Sequence, residues 1–160
     1  MLIRKSEPRD DDAIWRILEP TFRAGETYPI PRDISREDAL AYWHTPGHIV
    51  FVAEDAGAIA GTYYLRANNR GGGAHVANCG YVVAPEVFGR GVAQAMGSHS
   101  LGEAKARGFT AMQFNFVIAS NERAVRLWQR MGFAIAGRLP GAFRHPRFGV
   151  VDAYVMSRSI

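Results

Sequence analysis

The stretch Tyr81-Val82-Val83-Ala84-Pro85-Glu86-Val87-Phe88-Gly89-Arg90-Gly91-Val92-Ala93 constrains this chain more than any other. A run of β-formers ends at Ala84-Pro85, two glycines follow, and residues 91 to 107 suit a helix closed by Gly108. The first N–H groups of a helix have no partners inside it, so they can donate to phosphate oxygens while the helix dipole favours negative charge. Glycines let such an anion approach the backbone without a β-carbon in the way. The segment is neither of two familiar phosphate motifs. The dinucleotide fingerprint would need glycine where Gln94 stands, and no Gly-Lys-Ser/Thr follows. On its own it also fits a tight turn that binds nothing.

The rest of the chain supplies the frame. Residues 2 to 5 read as a short strand. Asp10, Asp11 and Asp12 suit a helix N-terminus, and Ile14, Ile17, Leu18 and Phe22 follow at helical spacing. Residues 25 to 32 hold Pro29 and Pro31 and predict a loop, and 36 to 44 a second helix stopped by Pro46-Gly47. Residues 49–53 and 59–65 predict a hairpin, 75–83 a fourth strand and 111–118 a fifth. Residues 121–131 predict a helix with Ala124, Leu127, Trp128 and Met131 on one side and Gly132 past its end. Two last strands, 133–138 and 150–156, bracket a stretch rich in Gly, Pro and Arg that reads as a loop. The order βααβββαβαββ gives an α+β fold without repeats or linkers, a single domain over residues 1–160.

Composition narrows the chemistry. Cys79 is the one cysteine, which excludes an internal disulfide and a cysteine-rich metal site, so no metal is expected. No apolar run approaches the ~20 residues that cross a bilayer, and the first residues lack a signal-peptide core, so the expectation is a cytoplasmic protein with no membrane partner. The net charge of +4 suits an anionic ligand, but the arginines are scattered. A nucleic-acid partner is not expected without a clustered basic footprint.

With Phe88-Gly89-Arg90-Gly91-Val92-Ala93 and the second block Asn121-Glu122-Arg123-Ala124-Val125-Arg126-Leu127-Trp128-Gln129-Arg130-Met131-Gly132-Phe133 on view, the chain resembles the GNAT superfamily of N-acetyltransferases. That family's cofactor motif runs Gln/Arg-x-x-Gly-x-Gly/Ala, matched at Gly91 and Ala93 and departed from at Phe88. The second block looks like its N-x-x-A-x-x-L-[YW]-x-x-x-G-F signature. The resemblance implies a three-layer arrangement: a mixed, mostly antiparallel sheet of about seven strands with four helices, in which the fourth and fifth strands are parallel but splay apart. It further implies that acetyl-CoA fills the gap. Tyr81, Val82 and Val83 would pair with the pantetheine arm, Phe88 to Ala93 would hold the pyrophosphate, and Asn121, Ala124 and Trp128 would complete the cofactor site. A homodimer is an expectation from the family alone.

Two departures bear on mechanism. Many small-molecule members carry a glutamate base on the fourth strand, where this chain has Asn78. Many also carry a tyrosine acid where it has Trp128, whose indole only donates a hydrogen bond. The blocks His75 to Tyr81 and Gln113 to Asn121 look similar to fungal azetidine-2-carboxylate (proline-analogue) acetyltransferases, which resemble this chain in their asparagines. On that likeness Asn78 and Asn115 serve catalysis and the acceptor and Asn121 serves the cofactor, while the wider family resemblance places acceptor-binding residues in the loop between the first two helices and so implies Tyr28 as part of the acceptor wall. Strand alternation sets Asn115 against an apolar face of Met112, Phe114, Phe116 and Ile118. Each asparagine also fits a structural polar role. His75 and Cys79 read better as an exposed strand end and a small core residue, and Arg144, His145 and Arg147 suit either an acidic acceptor or solvent. The expected activity is acetyl transfer to a small-molecule amine, an amino acid or proline analogue. The alternatives are a protein or peptide acetyltransferase and a non-catalytic CoA-binding regulator.

Overall fold

The computed structural model describes residues 1–160. The strands are β1 (Leu2–Lys5), β2 (Ile49–Asp55), β3 (Ala58–Ala67), β4 (Val76–Val83), β5 (Ala111–Ile118), β6 (Ala134–His145) and β7 (Gly149–Ser159). The helices are α1 (Asp11–Ala24), α2 (Arg36–Trp43), α3 (Val92–Ala106) and α4 (Glu122–Arg130). All seven strands form one sheet in the order β1-β2-β3-β4-β5-β7-β6, antiparallel at every step except β4–β5.

Alternation along the central strands sorts the core onto two faces. Tyr63 and Leu65 of β3 and Ala77 and Cys79 of β4 pack with Val92, Met96, Ala104 and Trp128 of α3 and α4. Tyr64 and Val82 point the other way and pack with Ile14, Leu18, Phe22 and Trp43 of α1 and α2. Gly97 lets α3 lie against α4, because a β-carbon there would sit 2.8 Å from Met131 and 3.1 Å from Trp128. At the start of α1, Arg4 donates to both carboxylate oxygens of buried Asp10, at 2.7 and 2.9 Å, and the Glu7 N–H donates to the same group.

Three expectations change. The stretch read as a loop between the last two strands is mostly strand: β6 runs to His145, and only residues 146 to 148 turn. Its Pro140 and Gly141 fall in an irregularity between Leu139, opposite Ala153, and Phe143, opposite Val151. Because β6 is the outermost strand, a proline without an N–H is tolerated there. In β5 a bulge carries Asn115 and Phe116, between Phe114 opposite Met156 and Val117 opposite Tyr154. It splits the apolar face expected of that strand. Met112, Phe114 and Val117 join the α3/α4 core, whereas Phe116 and Ile118 pack with Phe143 and Ala153. His145, expected at an acceptor or in solvent, is instead buried, and its Nδ1 accepts the N–H groups of Arg147 and Phe148 to hold the turn.

Candidate active site

β4 and β5 pair at only two positions, Val76 with Ala111 and Ala77 with Met112, and then diverge toward the C-terminal ends of both strands. Past that point the strands keep their outer neighbours, β3 and β7, but not each other. Buried backbone groups need partners, so this wedge is a place for a ligand with amides of its own. Side chains meet two of its carbonyls. Asn78 Nδ2 donates to Gln113 O at 2.9 Å, and Tyr28 Oη donates to Tyr81 O at 3.1 Å. Tyr81 and Phe114, one from each strand, are spanned on the α3/α4 face by Trp128, with ring centroids 4.9 and 4.8 Å away.

The wide end of the wedge meets the glycine turn. Gly89 and Gly91 hold φ of 84° and 80°, a left-handed backbone that favours glycine, and Gly91 caps α3. Phe88 N–H donates to Pro85 O and Arg90 N–H to Val87 O, but the N–H groups of Gly89, Gly91, Val92 and Ala93 have no acceptor in the chain. They form a ready cradle for an anion. Phe88, the residue that departs from the motif, is 55% exposed, with the Arg123 guanidinium 5.7 Å over its ring. Across the wedge, Asn121 caps α4 by accepting the Ala124 N–H at 3.4 Å, which leaves its amide donors free. Ser120 Oγ is buried beside it without a partner.

At the narrow end, on the α1/α2 face, a chain of polar side chains crosses the sheet. Arg66 Nε donates to Asn78 Oδ1 at 3.1 Å, Gln113 Nε2 donates to Asn115 Oδ1 at 2.9 Å, and Asn115 Nδ2 donates to Asn68 Oδ1 at 2.7 Å. Asn78 is 5% exposed and links β3 to β5 where backbone pairing stops. An aromatic wall stands beside this row. Tyr28 packs on Phe22 and Trp43, Trp43 on Tyr64, and Tyr64 stacks on His48 at 4.1 Å. Gly80 makes room for it, since a β-carbon there would lie 2.6 Å from the Tyr64 ring. Arg147 pairs with Glu26 at 3.0 Å, bridging the β6–β7 turn to the α1–α2 loop, while Arg144 is exposed and unpaired.

The structure therefore gathers Tyr28, Asn78, Asn115, Tyr81, Val82 and Val83 around the wedge, with Phe88 to Ala93 at one end and Asn121, Ala124 and Trp128 along one side. His75 is exposed at the strand entrance. Cys79 lies inside the core, where burial pushes its thiol up to about 12. Burial is also the first cause raising Tyr28, Tyr64 and Tyr81 above the ordinary phenol range. None of these hydroxyls is a ready acid near neutral pH. Sequence reasoning missed Asn68, Gln113, Arg66, Tyr64 and His48. The β3–β4 register, Arg66 opposite Asn78, is what brings Arg66 in, and no local motif marks it. No group of three or more His, Cys, Asp or Glu comes together as a metal site would require.

Residues 12–133 match the acetyltransferase (GNAT) family. The chain is similar to a solved GCN5-related N-acetyltransferase from Kribbella flavida, with 38% identity, a TM-score of 0.94, and 99% of this chain and 97% of that one covered. It is 28% identical over 148 residues to N-acetyltransferase aca1 of Schizosaccharomyces pombe, covering 82% of this chain and 71% of that protein. The fold also matches a GNAT superfamily phosphinothricin acetyltransferase from Sinorhizobium meliloti in complex with acetyl-CoA. There the TM-score is 0.86 at 21% identity, over 99% of this chain and 88% of that one.

Proposed function

The chain belongs to the acetyltransferase (GNAT) family and is an acetyl-CoA-dependent acyltransferase, and from that premise we propose that its acceptor is the amine of a small molecule, an amino acid or proline analogue, which attacks the thioester directly. The observation that carries this is the narrow end of the wedge, where Asn78 and Asn115 stand in a row of amides walled by Tyr28, Trp43 and Tyr64. Acetyl-CoA, when bound, supplies the activated acyl group. The free N–H groups of Gly89, Gly91, Val92 and Ala93 suit its pyrophosphate. The backbone of Tyr81, Val82 and Val83 suits the pantetheine amides, Asn121 and Ser120 offer polar groups opposite, and Ala124 and Trp128 form an apolar wall.

The proton chemistry follows from what the row lacks. Asn78 cannot accept a proton, and it takes no carboxylate partner. A free amine has a pKa of about 10 and attacks only when neutral, so the site selects the neutral amine by positioning and water removes the proton. A thiol with a pKa of ~8.5 leaves as thiolate without a dedicated acid, consistent with an indole at Trp128. Asn78 and Asn115 then contribute orientation and polarisation. The rate per free enzyme and acceptor should rise with pH toward the acceptor's own pKa, with no carboxylate step between pH 4 and about 6.

Calorimetric titration with acetyl-CoA, followed by thiol release across amino acids, imino acids, simple amines and a peptide N-terminus, tests this reading. Release with small amino or imino acids supports it, and release confined to the peptide makes the chain a peptide acetyltransferase. Binding without release on any acceptor makes it a CoA-binding regulator. A homodimer built on β6 is part of the same reading. That outermost strand leaves Ile135 and Leu139 exposed, and Phe148 and Val150 are exposed at the adjoining turn. A cytoplasmic site of action suits a single reduced, buried cysteine.

A further inference from the structure

We infer that Arg66 is the carboxylate anchor of the acceptor site, and that it restricts the enzyme to α-amino or α-imino acids; this rests on the small-amine reading above. Arg66 lies on β3 facing α1 and α2, half-buried, one strand away from the wedge. Its one side-chain hydrogen bond runs from Nε to Asn78 Oδ1 at 3.1 Å, which fixes the plane of the guanidinium and leaves both terminal nitrogens unused. It makes no ion pair, whereas Arg4 and Arg147 each hold a carboxylate. The side chains around it are Tyr42, Tyr64, His48 and Asn78, none of them acidic, and Ile49 opposite Leu65 sets His48 beside Arg66. A half-buried guanidinium held by one edge and lacking a counter-ion is suited to a planar, two-oxygen anion.

Position sets the size of that anion's parent molecule. Asn78 directly follows Ala77, the last β4 residue paired with β5, so Arg66 reaches the vertex of the wedge. An acceptor whose nitrogen lies at the vertex and whose anion lies on Arg66 has little room between the two. α-Amino and α-imino acids meet this, with a single carbon between nitrogen and carboxyl carbon. Amines without an anion leave Arg66 desolvated and unpaired, which is the discriminating penalty.

The test uses matched acceptors with the full chain: L-azetidine-2-carboxylate, L-proline and L-alanine, each against its carboxamide, together with benzylamine and phosphoethanolamine. Initial rates of thiol release should favour the acids by about tenfold or more in kcat/KM, mostly through KM. Arg66→Gln should bring the acids down to the level of the amides while KM for acetyl-CoA stays within about twofold, and Arg66→Lys should restore part of the preference. Amides equal to acids in the parent enzyme, or a preference that survives in Arg66→Gln, overturns the inference. So does a preference for phosphoethanolamine. Turnover of benzylamine alone overturns it while leaving the small-amine reading standing. If nothing turns over, calorimetry of N-acetyl-L-alanine and its carboxamide on the CoA complex decides. Selective binding of the acid, lost in Arg66→Gln, upholds Arg66, and equal or no binding removes both readings.

Discussion

Asn115 shows how much one residue's setting limits what it can do. It accepts from Gln113 and donates to Asn68, which fixes its amide within the row and leaves one N–H free for an acceptor. Asn115→Ala releases both partners at the edge of the acceptor site. Turnover should fall about tenfold or more with KM for acetyl-CoA nearly unchanged. Unchanged turnover with a lower melting temperature would make Asn115 purely structural. Gly80 gives a second case. In Gly80→Ala the new methyl meets the Tyr64 ring at 2.6 Å, so the ring must turn away and the aromatic wall opens. The expected result is a raised acceptor KM and about 1–3 kcal/mol lost stability, measured by kinetics and urea unfolding. Cys79 is the reverse of an active nucleophile. With its thiol pushed up to about 12 by burial, it should resist iodoacetamide at pH 8 in the native protein and react at once in denaturant.

Elements explain which features were legible in advance. The glycine turn and the α4 block are local signals, since each depends on residues a few positions apart, and both fall where the chain order places them. The wedge was expected from resemblance and rests on the short β4–β5 pairing. The bulge at Asn115 and Phe116 was not legible. A bulge is a mismatch between two strands, and Tyr154 lies 38 residues from Phe116 in sequence. The β6 extension failed for a related reason. Pro140 and Gly141 are turn residues by propensity, but an edge strand can absorb them, and only the partner strand reveals that. Arg66 was hidden in the same way, because its role comes from a cross-strand partner. At this scale Asp10 also makes a prediction. The Arg4 guanidinium holds its carboxyl below the ordinary range, first through their hydrogen bonds. A carboxyl whose folded pKa is depressed stabilises the fold fully above the unfolded value of ~3.9, and that contribution is lost as pH falls from there through the folded pKa. Arg4 keeps its pairing with Glu54, so Asp10→Asn should cost about 2 kcal/mol at pH 7 and flatten the acid limb of stability against pH. An unchanged acid limb would assign that limb to other carboxylates.

The whole molecule is organised around a deliberate failure of pairing. Five of the sheet's six strand junctions are antiparallel, and the sixth, the parallel β4–β5 junction, opens after two residue pairs. α3 and α4 close one face of the opening, α1 and α2 stand over the other, and the β6–β7 turn is tied to the α1–α2 loop through Arg147 and Glu26. The exposed apolar residues of β6 and its turn place a further demand on the assembly. Light scattering should give a dimer mass, and Leu139→Lys with Val150→Lys should reduce it to a monomer. A monomer in the parent chain would rule out the homodimer. Acetyl transfer in this molecule depends on the wedge receiving the acyl donor along its length, with the pyrophosphate at the glycine turn. Calorimetry of acetyl-CoA binding to the parent protein and to Gly91→Val measures this directly. The parent should bind one equivalent with favourable enthalpy. The variant, forced out of a φ of 80° that costs a side chain ~1–2 kcal/mol, should bind at least about tenfold more weakly. No binding by the parent, or equal binding by both, would show that the glycine turn does not hold the acyl donor's pyrophosphate.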